Sequence, residues 1–135
     1  MRPRPVLLSL TLMVVTVAAG LAVRFARIGL PAVLVKYGGS ALWALMVYWA
    51  CSSLLPRLSF QWAGLLAGTV ATGVELFKLI HTPWLDALRL TLPGILLLGR
   101  IFSWWDILAY WAAIGVGALV DARIRAGMLA RAFLI

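Results

Sequence analysis

Long uncharged runs alternate with short basic ones along the chain. No charge occurs from Val6 to Val23, and Arg2, Arg4, Arg24 and Arg27 flank that run. After the breaker Gly29-Leu30-Pro31, Lys36 introduces a second run, Tyr37 to Leu55, which Pro56-Arg57 ends. A third starts at Leu58 and stays uncharged to Val74, then meets Glu75 and Lys78 before His81-Thr82-Pro83. Each run approaches the ~20 residues a helix needs to cross a hydrocarbon core. Residues 84–103 mix Trp84, Asp86 and Arg89 with apolar positions, and Pro93-Gly94 interrupts the stretch Leu90 to Gly99. That stretch is too short to span, so 84–99 reads as an interfacial or re-entrant segment. The last run, Ile107 to Val120, reaches spanning length if it is extended back to Ile101, with Asp106 at the membrane edge. Arg123, Arg125 and Arg131 lie among apolar residues in a tail, 121–135, that resembles a basic helix on a membrane surface.

The pattern predicts an all-α fold in one domain: an integral membrane four-helix bundle. Its expected spans are about 6–23, 37–55, 58–80 and 101–120, with a short interfacial or re-entrant segment before the last helix and a basic surface tail. The basic start and the small residues Ala18-Ala19-Gly20 also fit a signal peptide, but the run is long for one and further spans follow, which favours a retained helix.

Composition agrees. The chain is 64% hydrophobic and 12% charged, with a mean hydropathy of +1.05, which excludes a disordered chain, a collagen and an ordinary soluble domain. Lys and Arg number 12 against 4 acids, giving +8, but the bases are scattered between apolar runs. Anionic lipid headgroups are therefore the expected partner, rather than nucleic acid. Cys51 is the only cysteine, and with His81 it supplies too few ligands for a metal site, so no metal and no cofactor is expected. The inner (plasma) membrane is the expected location. Counting cations on the two sides of four spans gives six against six. Arg2, Arg4, Arg57, Arg123, Arg125 and Arg131 face Arg24, Arg27, Lys36, Lys78, Arg89 and Arg100. Partial neutralisation of Lys78, Arg89 and Arg100 by Glu75, Asp86 and Asp106 would leave the termini cytoplasmic.

The helical faces gather the polar residues. Gly64, Gly68, Ala71, Glu75 and Lys78 follow one another by three or four and share a face. Asp106, Tyr110, Ala113 and Gly117 do the same on the last helix, and Ser40, Ala44 and Tyr48 on the second. Gly64-x-x-x-Gly68 permits close helix approach. In an up-down bundle the polar members converge on one membrane side, forming a net-basic mouth with small residues beneath it. Ser40, Glu75, Lys78, Arg89, Asp106 and Tyr110 are its candidate ligand-binding residues. A structural role is also open: Glu75 and Lys78 could pair at i, i+3, and Asp106 or Ser103 could cap the last helix. The seven tryptophans suit interface belts or bundle packing, with Trp104 and Trp105 near enough to Asp106 to touch a ligand. No phosphate-binding glycine loop, HExxH or GxSxG occurs, so catalytic residues are unassigned and a non-enzymatic role is favoured.

The pieces KYGGSALWALMV (Lys36 to Val47), VELFKL (Val74 to Leu79), PWLDALR (Pro83 to Arg89) and LLGRIFSWWDILAY (Leu97 to Tyr110), taken in order, resemble a family of small bacterial inner-membrane proteins. The family is catalogued as domain of unknown function 2809. More distantly the chain is similar to VanZ-like membrane proteins, which are linked to glycopeptide tolerance and envelope lipids. The resemblance implies that Glu75, Arg89, Asp106 and Tyr110 occupy the family's polar positions. The chain departs at Ser40, where the family usually has Asp, and at Lys78, where it usually has Gln. Losing an acid and gaining a base makes the mouth more positive and points to an anionic ligand. Three functions follow as expectations. The first is binding or transport of an anionic envelope lipid or lipid-linked headgroup, such as a phospholipid or polyprenyl phosphate. The second is a structural or assembly partner of other membrane proteins or of itself, through the Gly64–Gly68 face. The third is an intramembrane enzyme acting on a lipid-linked substrate, with Glu75 and Asp106 as acid and base.

Overall fold

The computed structural model describes residues 5–25, 29, 31–91, 93–94 and 102–134, with backbone alone at 33 and 129–134. Among them are five helices: α1 (Val6–Phe25), α2 (Ala32–Leu54), α3 (Phe60–Phe77), α4 (Pro83–Arg89) and α5 (Trp104–Leu134). The fold is all-α. Two of these helices, α1 and α5 over Trp104–Met128, are long and apolar enough to cross a membrane.

Local chemistry explains the boundaries. Pro31 precedes α2, where its missing N–H costs nothing. The Ser59 side chain accepts from the Trp62 N–H and caps α3. Pro83 cannot extend α3 and instead opens α4 as its first residue. The expected segment at 84–99 is thus a two-turn helix as far as Arg89, and residues 95–99 lie outside the described part.

The largest departure is at the C-terminus. A span ending near Val120 with a separate surface tail was expected, but α5 runs unbroken from Trp104 to Leu134. No Pro occurs after Asp106, and Asp121 and Arg125 pair one turn apart, which favours continuation.

Helices α2, α3 and α5 pack on one another, and among the described helices α1 packs on α2 alone. The directions follow from individual contacts. A Cβ at Gly38 would lie 3.7 Å from Val23 and one at Gly20 would lie 3.8 Å from Leu42, so α1 and α2 are antiparallel. Ser40 near the start of α2 bonds Asp106 in the first turn of α5. Glu75 near the end of α3 bonds Tyr110 of α5, and Arg125 near the far end of α5 reaches Leu58 in the α2–α3 turn. One end of the bundle therefore holds the end of α1, the start of α2, the end of α3 and the start of α5. The turn between α2 and α3 lies at the opposite end.

The core is built mostly from small and aromatic residues: Ala44, Ala63, Ala67, Ala71, Tyr48, Trp49 and Tyr110, with Val47 and Ile114. Small residues let the backbones approach. A Cβ on Gly68 would overlap the Trp111 ring, whereas one on Gly64 would make ordinary contact with Ala118 and Ile114 at 3.7 Å. The Gly64–Gly68 face is thus occupied by the chain's own α5. The assembly-partner expectation had placed another protein there, and that surface is already taken.

Burial is inverted relative to a water-soluble protein. Ser9, Thr16, Ser52, Glu75, Lys78, Arg89, Asp106, Asp121 and Arg125 are buried. Large apolar side chains stand outside along every long helix, including Leu7 on α1, Leu34 on α2, Leu65 on α3 and Leu119 on α5.

Candidate functional site

Glu75 is the hub of the first end. It is fully buried on the last turn of α3, where both carboxylate oxygens are engaged. Oε2 accepts from the Tyr110 hydroxyl at 2.7 Å and lies 2.7 Å from Lys78 Nζ. Oε1 accepts from the Ser103 N–H at 2.8 Å. Ser103 immediately precedes α5, so a carboxylate from α3 satisfies a backbone donor at the start of another helix, where negative charge is favoured. The i, i+3 spacing of Glu75 and Lys78 is what brings the ammonium onto the carboxylate, and Lys78 is itself buried.

Ser40 and Asp106 meet beside this hub. The Ser40 hydroxyl lies 3.0 Å from the Lys36 carbonyl and 3.2 Å from Asp106 Oδ1, and it can donate its single proton to either. Asp106 is 5% exposed and forms no ion pair with a described base. Trp43, one turn further along α2, stacks at a tilt on Tyr110 with ring centroids 5.2 Å apart.

Arg89 is placed differently from the sequence expectation. It is 2% exposed and serves the end of α3 rather than the Glu75 carboxylate. Its Nη1 donates to the Ile80 carbonyl at 2.7 Å and its Nη2 to the Phe77 carbonyl at 2.8 Å, with the guanidinium over the Phe77 ring. The Phe77 carbonyl also accepts from the Ile80 N–H at 3.1 Å, so Arg89 adds a second donor there and supplies one to the Ile80 carbonyl, and a cation is favourable at that pole. Nη1 also lies 3.3 Å from Asp86, whose Oδ1 is 3.3 Å from His81 Nδ1 at the exposed rim.

The structure therefore brings Glu75, Lys78 and Tyr110 into one bonded group and Ser40 and Asp106 into an adjacent one, while Arg89 joins α4 to α3. Among the described residues, three buried side-chain atoms find no hydrogen-bond partner: Trp43 Nε1, Thr82 Oγ1 and Arg89 Nε. All three belong to this end of the bundle. Arg24 and Lys36 are exposed there, each over its neighbouring aromatic ring, whereas Arg27 and Arg100 lie outside the described residues.

Over residues 29–116 the sequence matches the family described as Protein of unknown function (DUF2809). The chain belongs to this family. The DUF2809 match takes in Ser40, Trp43, Glu75, Lys78, Arg89, Asp106 and Tyr110, the whole of the mouth described above. It leaves out α1 and the end of α5. No solved structure matches the chain.

A second polar centre, whose Asp121 and Arg125 lie beyond the DUF2809 match, was missed in the sequence. Asp121 and Arg125 are 0% and 2% exposed. Arg125 Nε donates to Asp121 Oδ1 at 3.1 Å and Nη1 to the Leu58 carbonyl at 2.8 Å. The Tyr48 hydroxyl donates to Asp121 Oδ2. Arg125 is accordingly an internal tie between α5 and the α2–α3 turn, which corrects its reading as a lipid anchor. Arg123, two residues away, is exposed as that reading requires. The signal was present: the spacing that aligns Asp106, Tyr110 and Gly117 continues by fours to Asp121 and Arg125. Treating Asp121 as the start of a tail hid it.

Proposed function

We propose that the protein is a four-span integral protein of the inner membrane whose mouth binds an anionic envelope lipid or lipid-linked headgroup. The inverted burial supports the spanning part, because hydrocarbon tails solvate the apolar exterior and every helix satisfies its own backbone. From Lys36 to Arg57, α2 and its following turn cover about 30 Å of rise, near the thickness of a hydrocarbon core. Trp84, Trp104 and Trp105 are exposed at the mouth end and Trp62 at the other, as expected of aromatic belts at two interfaces.

The observation that carries the ligand is the set of unbonded donors. Trp43 Nε1 and Arg89 Nε can only donate, and no acceptor among the described residues meets them, which leaves both open to an acceptor from a ligand. A buried donor without a partner is costly, more so in lipid. Phosphate oxygens are acceptors, and Arg24 and Lys36 at the rim supply the matching charge. Glu75, by contrast, has both oxygens engaged and its charge balanced by Lys78, which suits a fixed tie better than an acid or base. Binding is therefore favoured over catalysis.

The test is lipid co-purification by native mass spectrometry from a host with defined lipids. Trp43→Phe and Lys36→Gln should lose anionic lipid relative to the natural chain, and Arg89→Ala should lose more. Identical lipid profiles across the set would overturn the proposal.

A further inference from the structure

The cations sort evenly between the two ends, and this bears on how the chain enters a membrane. Orientation is set by the excess of Lys and Arg flanking the spans on one side, to which acids contribute little. The plain count is six against six. A bias could survive only if bases on one side were withdrawn into the fold more than those on the other. Lys78 and Arg89 are withdrawn at the mouth end, buried on Glu75 and on the end of α3. Arg125 is withdrawn at the opposite end, buried on Asp121 and Leu58. The exposed cations among the described residues are then Arg24 and Lys36 at the mouth and Arg57 and Arg123 opposite, two against two. Counting the remaining arginines by sequence adds three at the terminus side, Arg2, Arg4 and Arg131, and two at the mouth, Arg27 and Arg100. Five against four is a bias of one charge.

We infer that the chain inserts in both orientations, so that a membrane holds copies with cytoplasmic termini and copies with external termini. The expectation of cytoplasmic termini discounted paired cations at the mouth alone. The Asp121–Arg125 pair applies the same discount to the other end and, with Arg100 counted by sequence alone, narrows the asymmetry to one charge. The inference rests on the four-span reading, since only an even number of spans puts both termini beside Arg57.

The full chain, expressed in a bacterial host, carries at its C-terminus either alkaline phosphatase, active only outside the cytoplasm, or green fluorescent protein, fluorescent only inside. Both fusions should be active. Arg57→Gln removes a charge from the terminus side and should move the ratio toward phosphatase. Lys36→Gln should move it toward fluorescence. A purely structural effect of either substitution would lower both signals together. In a Cys51→Ala background, single cysteines from Pro56→Cys and His81→Cys are labelled with a membrane-impermeant maleimide. Each should divide into a labelled and a protected fraction, with the two positions complementary. A single class at each position, opposite at 56 and 81, overturns the dual orientation and leaves the four-span reading standing. Positions 56 and 81 both fully labelled, or both fully protected, overturn the four-span reading itself.

Discussion

The Glu75–Lys78 pair offers the sharpest test of how the mouth is held. In Glu75→Gln the side chain keeps its size but loses its charge, and one of its two ends becomes an N–H₂ donor. If the amide nitrogen takes the Oε2 position it faces Lys78 Nζ, which the carboxylate holds at 2.7 Å. If it takes the Oε1 position it faces the Ser103 N–H, a donor that the carboxylate holds at 2.8 Å. Either rotamer sets donor against donor. The ammonium is left without its counter-charge at a side-chain exposure of 9%, beside a residue at 0%. Breaking a buried pair by removing one partner costs about 3–5 kcal/mol. Replacing Lys78 as well removes the stranded ammonium and leaves a neutral amide that can still accept from the Ser103 N–H, so Glu75→Gln with Lys78→Met should recover most of the loss and come within about 1 kcal/mol of the natural chain. The assay is reversible unfolding in mixed micelles, titrated with denaturing detergent and followed by circular dichroism, for both single variants and the double. A loss below about 1 kcal/mol in Glu75→Gln, or a double variant no more stable than that single, would refute the claim that the pair is a buried, mutually dependent tie.

Other predictions use the same unfolding assay. Gly68→Ala should destabilise by about 1–3 kcal/mol because its Cβ meets the Trp111 ring, which the indole N–H also ties to Thr72 at 3.0 Å, while Gly64→Ala should stay within about 0.5 kcal/mol. Equal losses at the two glycines would contradict the described packing. Arg125→Ala should cost about 3–5 kcal/mol by taking a buried cation from the Asp121 carboxylate and a donor from the Leu58 carbonyl, whereas Arg123→Ala should leave stability unchanged. Tyr48→Phe should cost about 1.5–3 kcal/mol through its lost bond to the Asp121 carboxylate, and no change would remove Tyr48 from that centre.

Much of the mouth could be read from spacing. Steps of three and four placed Gly64, Gly68, Ala71, Glu75 and Lys78 on one face, and the structure buries all five. The same arithmetic aligned Ser40 with Ala44 and Tyr48, and brought Asp106 and Tyr110 together. Helical period is a local property, so a face is legible without knowing what packs on it. The role of Arg89 was not legible in this way. Spacing located the end of α3 but not the direction in which α4 would turn back, and that direction decides whether the guanidinium reaches Glu75 or the carbonyls of Phe77 and Ile80.

The sequence alone determined that the chain is helical, that its apolar runs suit lipid, and which residues share a face, because hydrophobicity and period act within one segment. Only the tertiary structure decided which cations are exposed. Arg123 and Arg125 stand two residues apart in similar apolar surroundings, yet one is exposed and the other is buried on Asp121 and Leu58. Their difference is set by the position of the α2–α3 turn, where Leu58 stands 67 residues before Arg125, and only packing brings that turn against α5.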